Sequence, residues 1–237
     1  MFNMKKTIVV LMVAAAATVQ SSYAFKTGDT QLWLAFSASG KLDNGVKLSI
    51  SEDLRNGDDM GTYYYSETAL SASYGVTKWL SVAAGFVEAY ERKDKTLYDA
   101  DGNVKKEFYF RQEHRPRVEV KASTKLAGWG LEDRVRVEYR MKDDTQDYFR
   151  YRNRIKVKSP FKWTPAKINP YVAWEAFLED LPDDVNWELN RHRFYAGVGL
   201  KITEHIKGDL YYLKQLDWKS SDWREYNVVG ISLGASF

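Results

Sequence analysis

Between Phe108 and Lys158 a charge recurs at every second position in three consecutive segments. The first carries Arg111, Glu113, Arg115, Arg117, Glu119 and Lys121. The second sets Arg134, Arg136, Glu138 and Arg140 against Val135, Val137, Tyr139 and Met141, and the third sets Arg150, Arg152, Arg154 and Lys156 against Phe149, Tyr151, Ile155 and Val157. Further along, Arg191, Arg193 and Lys201 continue the pattern, with Glu175 on the segment before them. An arginine fork pairs with a carboxylate or phosphate through two parallel N–H···O bonds, so the chemistry on offer is anion recognition or mutual neutralisation. The candidate anion contacts are Arg115, Arg117, Arg136, Arg140, Arg150, Arg152, Arg154, Arg191 and Arg193. Their candidate internal partners are Glu119, Glu138 and Glu175.

Catalysis has less to draw on. Three histidines are present, and none stands at metal-ligand spacing from another. His114 and His192 alternate with the charged residues and so share the apolar face, Asn190 with them, while His205 falls in a turn. No serine is placed to complete a hydrolytic site with either outward histidine. With no cysteine, thiolate zinc sites and disulfide scaffolds are excluded. The expectation is a protein that is not an enzyme and needs no metal or cofactor.

A period of two means extended strands with two unlike faces. One face here is apolar and aromatic and the other is charged, which suits a transmembrane barrel whose outer face meets lipid and whose inner face meets water or itself. The rest of the chain repeats the theme. Leu32, Leu34 and Phe36 alternate ahead of an Asn44-Gly45 hairpin signal. Strands follow over roughly 62–74 and 80–90, and the stretch from Glu91 to Glu107 reads as a loop or an extended hairpin. Pro160 and Pro165 mark a turn, and strands near 170–178, 191–202 and 206–215 precede a last one at 224–237. In that last strand Val229, Ile231 and Leu233 oppose Gly230, Ser232 and Gly234, and Phe237 closes it. About eleven strands can be counted. Single-chain bacterial barrels have even numbers, so the expectation is all-β, a single antiparallel transmembrane β-barrel of ten to twelve strands, with twelve favoured.

Compartment is read from the start of the chain. Lys5 and Lys6 precede an apolar run from Ile8 to Ala17, then Ser22-Tyr23-Ala24, the pattern of a cleaved secretory signal. The expected division is a signal peptide over 1–24 and a barrel over 25–237. The formal charge of +3 gives no reason to expect nucleic acid. Trp79, Trp129 and Trp163 near turns, and Trp187, Trp218 and Trp223 near loops, are expected as girdles at two membrane interfaces.

The runs Glu113-His114-Arg115-Pro116-Arg117, Arg134 to Arg140, Arg150 to Arg154, the Pro170-Tyr171 strand with Glu175, and Asn190 to Phe194 resemble one bacterial family, known only as domain of unknown function 2490. The resemblance covers essentially the whole chain after the signal. It implies an outer-membrane barrel of Gram-negative type and no particular activity. The arginine ladders are also similar to those of small porins for acidic oligosaccharides. A terminal strand ending on Phe237 looks like the signal read by the barrel assembly machinery. The expected partners are therefore outer-membrane lipid, that machinery and small anionic solutes.

Two functions compete, with a lipid-modifying enzyme of the outer membrane well behind. The assigned inner faces hold fourteen basic against four acidic side chains, which favours an anion-attracting pore. The same residues serve equally a non-conducting barrel closed by an internal Arg–Glu network.

Overall fold

The computed structural model describes residues 25–98, 104–143, 145–161, 168–180, 187–219 and 222–237. The expected signal peptide, 1–24, lies outside them. Every regular element is a strand: β1 (Asp29–Lys41), β2 (Lys47–Gly57), β3 (Thr62–Gly75), β4 (Leu80–Tyr98), β5 (Val104–Leu126) and β6 (Trp129–Lys142). These are followed by β7 (Tyr148–Lys158), β8 (Asn169–Asp180), β9 (Trp187–Lys201), β10 (Ile206–Lys219) and β11 (Asp222–Ser236). Each pairs antiparallel with its sequence neighbour, and the sheet closes through β1 and β11.

The expectation of twelve strands is corrected to eleven among the described residues. In an up-and-down meander an odd count makes the first and last strands run the same way, so the seam must be parallel. It is, with register from Asp29 opposite Tyr226 to Ser39 opposite Ser236. One rim therefore gathers the starts of β1 and β11, here called the Asp29 rim. The other gathers their ends, and there the Phe237 amide donates to the Ser39 carbonyl at 2.9 Å. The stretch 91–107 is an extended hairpin, because β4 and β5 stay paired out to Tyr98 and Val104.

Turn chemistry and bulges set which side chains point inward. Ala127 and Gly128 join β5 to β6 with φ of 47° and 84°. Two positive φ values make the tight turn whose twist matches the flanking strands. A bulge opposes Arg55 and Asn56 to Tyr65 and Tyr63, leaving Tyr64 unpaired. The extra residue breaks the alternation, so Tyr64 and Tyr65 both reach inward, Tyr64 donating to Gln31 at 2.8 Å and Tyr65 to Glu67 at 2.6 Å. A second bulge opposes Phe177 and Leu178 to Arg191 and Leu189. It frees Asn190 from the outer face, and its Nδ2 donates to Glu179 at 2.7 Å.

The seam side of the lumen is aromatic and glycine-lined. Tyr211 stands opposite Gly230 on β11 and Gly197 on β9. A Cβ at Gly230 would lie 2.0 Å from the Tyr211 ring, and one at Gly197 would lie 2.7 Å from Tyr211 Cβ. These glycines are the space the ring occupies.

Two measurements check this fold. The chain has no cysteine of its own, so Thr30→Cys with Asn227→Cys, register partners across the seam, should be joined by a short thiol cross-linker. Thr30→Cys with Ile231→Cys, displaced about 13 Å along the strand, should not. Cross-linking of the displaced pair alone would refute the parallel register. Gly230→Val should displace Tyr211 and cost about 1–3 kcal/mol by overpacking, seen as a lower unfolding midpoint in detergent. Gly199→Ala, where a Cβ meets its nearest atom at 3.6 Å, should leave the midpoint almost unchanged.

Candidate functional site

The register of β5 to β9 builds the charged wall. On β6 and β7, Arg134 opposes Arg154, Arg136 opposes Arg152 and Glu138 opposes Arg150. Like charges directly across a sheet repel, so the two arginine rungs need carboxylates from the strands on either side. Glu119 of β5 accepts from Arg136 Nε at 2.9 Å and Nη2 at 2.7 Å. Glu175 of β8 is 0 % exposed. It accepts from Arg134 at 2.6 Å, Arg152 at 2.9 Å and the Tyr195 hydroxyl at 3.0 Å, with Arg193 at 3.9 Å. Glu138 is equally buried and accepts from Arg150 Nε at 2.6 Å and Arg152 at 3.0 Å, with Arg136 at 3.5 Å.

The remaining candidates also turn inward. Arg115 forks onto Glu113 at 2.7 and 2.9 Å and reaches over β4 to Glu67 at 2.9 Å. Arg140 bonds the same Glu113 and also Glu179, the latter at 3.1 Å. Arg191 is bidentate on Asp217 at 2.7 and 2.8 Å. Arg193 donates to Gln215 at 2.7 Å. Arg154 reaches Glu132 at 3.3 Å, and Arg117 reaches Ser71 at 3.2 Å. The strands thus bring the nine arginines and the three expected glutamates to the inner face, most of them in one ladder, with Arg191–Asp217 and Arg154–Glu132 as separate pairs.

The acid count on the inner face is higher than the alternation of the arginine strands suggests. Asp53, Glu67, Glu132 and Asp209 also face inward. Glu179 and Asp217 lie near the ends of β8 and β10 and hold arginines. Further bases face inward as well, Arg55 and Lys142 among them, so the inner face keeps a cationic surplus. A sequence signal existed: Asp53 and Arg55 sit two apart around Leu54, the same alternation at lower density.

A waist of guanidinium groups and aromatic rings lies at the middle of the lumen. The Arg55 guanidinium lies 3.9 Å from the centre of the Trp33 ring and 4.3 Å from that of Tyr65. Arg193 lies 4.8 Å from the Trp33 ring and 4.7 Å from Phe177, and Arg152 4.7 Å from Phe177. A cavity of about 580 Å³ opens toward the Asp29 rim and one of about 380 Å³ toward the Phe237 rim. Trp33, Arg55, Glu67, Arg152 and Arg193 line both. Arginines stacked on aromatic faces are held by cation–π attraction as well as by their carboxylates. Such an arrangement can bind anions and can obstruct passage. Trp33, Tyr65 and Phe177 were not singled out beforehand, because lumen aromatics carry the same letters as girdle aromatics.

On the outside, His114 packs beside Phe86, and its register partner Glu88 accepts from Tyr90 and Gln112, both at 2.7 Å. His192 stacks on Trp174 and lies beside Trp223. His205 occupies the β9–β10 turn, with Nδ1 2.9 Å from the Ser236 carbonyl. Trp79 and Trp129 are exposed toward the Phe237 rim, and Trp218 and Trp223 toward the Asp29 rim. Trp163 and the side chain of Trp187 lie outside the described residues.

Residues 30–226 match the model of a family described as "Protein of unknown function (DUF2490)". Among solved structures, the crystal structure of the β domain of the Bordetella autotransporter BrkA is similar, with a TM-score of 0.52 and 12% identity over 78% of this chain and 82% of that one. At that identity the likeness shows a shared barrel fold. No curated protein matches the sequence. With a closed eleven-stranded barrel in hand and the family model spanning all but the ends of that barrel, the chain belongs to the DUF2490 family.

Proposed function

We propose that this is an outer-membrane barrel closed by its own side chains, rather than an open anion pore. The membrane half of the reading rests on an inverted distribution of polarity. Leu48, Ile50, Leu70, Phe86, Val118 and Val120 are among many large apolar side chains exposed on the outer wall. The buried apolar clusters are small, one around Trp33, Leu213 and Val228 and one around Tyr65, Ala69, Val87 and Ala89. Water-soluble proteins rarely expose continuous apolar patches of that extent. A reversed register would put several arginines in lipid, at roughly 2–4 kcal/mol each near the midplane.

Polar outward residues pair with one another. Thr68 donates to Glu52 at 2.5 Å and Asn153 to Asp133 at 2.7 Å. The export-type segment at residues 1–24, the exposed terminal Phe237 and the likeness in fold to an autotransporter β domain support the outer membrane as the location.

The observation that carries the closed state is the waist, where Arg55, Trp33 and Arg193 from three strands meet between the two cavities. A pore keeps one observation in its favour. The larger cavity is lined by thirteen basic and five acidic side chains, so any current would be carried by anions.

Planar-bilayer recording separates the two. The folded wild type should give no conductance steps, and anion-selective steps would overturn the closed reading. Replacing Arg136, Arg152 and Arg193 together with glutamine should leave Glu119, Glu138 and Glu175 short of partners. Each broken buried pair costs about 3–5 kcal/mol, so the unfolding midpoint should fall sharply while the bilayer stays silent. For assembly, removal of Phe237 should lower the yield of the heat-modifiable folded band in cells. An unchanged yield would remove Phe237 as a recognition element for the assembly machinery.

A further inference from the structure

The cavity on the Phe237 side contains donors that the ladder does not use. Its lining holds seven basic and four acidic side chains. Two of its four opposed arginines are fully engaged, Arg136 on Glu119 and Arg152 on Glu138 and Glu175. Arg134 and Arg154, directly opposite one another, are not. Each gives one Nη to a carboxylate, Glu175 at 2.6 Å and Glu132 at 3.3 Å. The Nε of each is buried with no hydrogen-bond partner among the described residues. For Arg134 Nε the nearest carboxylate, on Glu119, is 3.8 Å away. One rung further, the Lys156 ammonium lies over the Tyr171 ring and 3.9 Å from Asp209, beyond a hydrogen bond.

An unmatched N–H on a buried charged group is costly, because it has lost its water without gaining an acceptor. Two such groups on adjacent strands of one cavity, with an underused ammonium beside them, define a place where acceptor oxygens are missing. We infer that this cavity binds a small oxyanion, a phosphate or carboxylate group. Arg134 and Arg154, which both line the cavity, offer it the guanidinium Nη groups that hold no carboxylate, and Lys156 supplies the third charge. Arginine suits the task because its donors are fixed in a fork that matches two oxygens of one anion. Glu175 and Asp209 exclude a large polyanion, since both carboxylates line the same space. The site does not depend on whether the barrel conducts, so its failure and that of the closed reading are separate results.

The test uses the full protein folded in detergent, at constant ionic strength set with sodium chloride. Inorganic phosphate and acetate are added in separate series, and the unfolding midpoint is followed. A ligand that binds only the folded state raises the midpoint with concentration. The expected result is a rise specific to one oxyanion, with phosphate and acetate telling the two classes apart. Arg154→Gln and Lys156→Gln should each weaken the apparent affinity ten-fold or more, while Arg92→Gln at the opposite rim should leave it intact. Two substitutions are named so that a folding failure in one leaves the other informative. Calorimetric titration of the wild type with the effective anion provides a direct check. No rise beyond that given by chloride, as an internal water on the two Nε groups would produce, overturns the inference. So does a rise that persists undiminished in both variants.

Discussion

The lumen is organised around one buried carboxylate. Glu175 has no exposure to solvent, and it receives guanidinium groups from β6 and β7, a hydroxyl from β9, and lies near Arg193. A lone ion so buried would be untenable, and a single partner would not satisfy it. It survives because strand register delivers donors from both sides. Glu138, two strands over on β6, is held in the same way. Buried ion pairs of this kind are weak evidence for stability, because the desolvation of both partners offsets much of their attraction. What they enforce is alignment. A slip of one residue between β6 and β7 would send the whole basic set outward and bring valines in.

The barrel interior has two characters, divided lengthwise. From β5 to β9 it is a lattice of charge. From β9 through the seam to β3 it is aromatic, with Trp33, Tyr65 and Tyr211 and glycines beneath the Tyr211 ring. Arg55 and Arg193 join the halves, since each has a carboxylate or amide on one side and an indole on the other. The waist forms where this joining is tightest. Long charged and aromatic side chains fill much of the interior of a barrel of intermediate girth.

The parallel seam is the structural cost of an odd strand number, and small residues ease it. Ser37 faces Gly234 and Ala38 faces Ala235. A Cβ at Gly234 would come within 2.9 Å of Ser37 Oγ. Parallel pairing is slightly weaker per residue than antiparallel, and here it runs the length of β1.

The sequence by itself determined the strands and their faces. A charge at every second position from Arg111 to Lys121 and from Arg150 to Lys156 admits only an extended chain with an inner and an outer side. The burial of Glu138 and Arg150 beside the exposure of Val118 and Phe149 follows from that alternation. Periodicity is a local property, so it survives in the letters. Strand number and closure are not local: about eleven strands can be counted, but twelve was preferred on the rule of even numbers, and no residue of β1 announces that its second partner runs parallel. Nor does the alternation say which rung a side chain reaches. Asn190 was assigned outward by parity, and a bulge turned it toward Glu179. Glu179 and Asp217 sit near strand ends, where parity says little, and the pairing of β8 and β10 brings them to Arg140 and Arg191. The waist, the two cavities and the unmatched Nε groups were decided by the tertiary structure alone, since they arise where side chains from strands far apart in sequence compete for the same small volume.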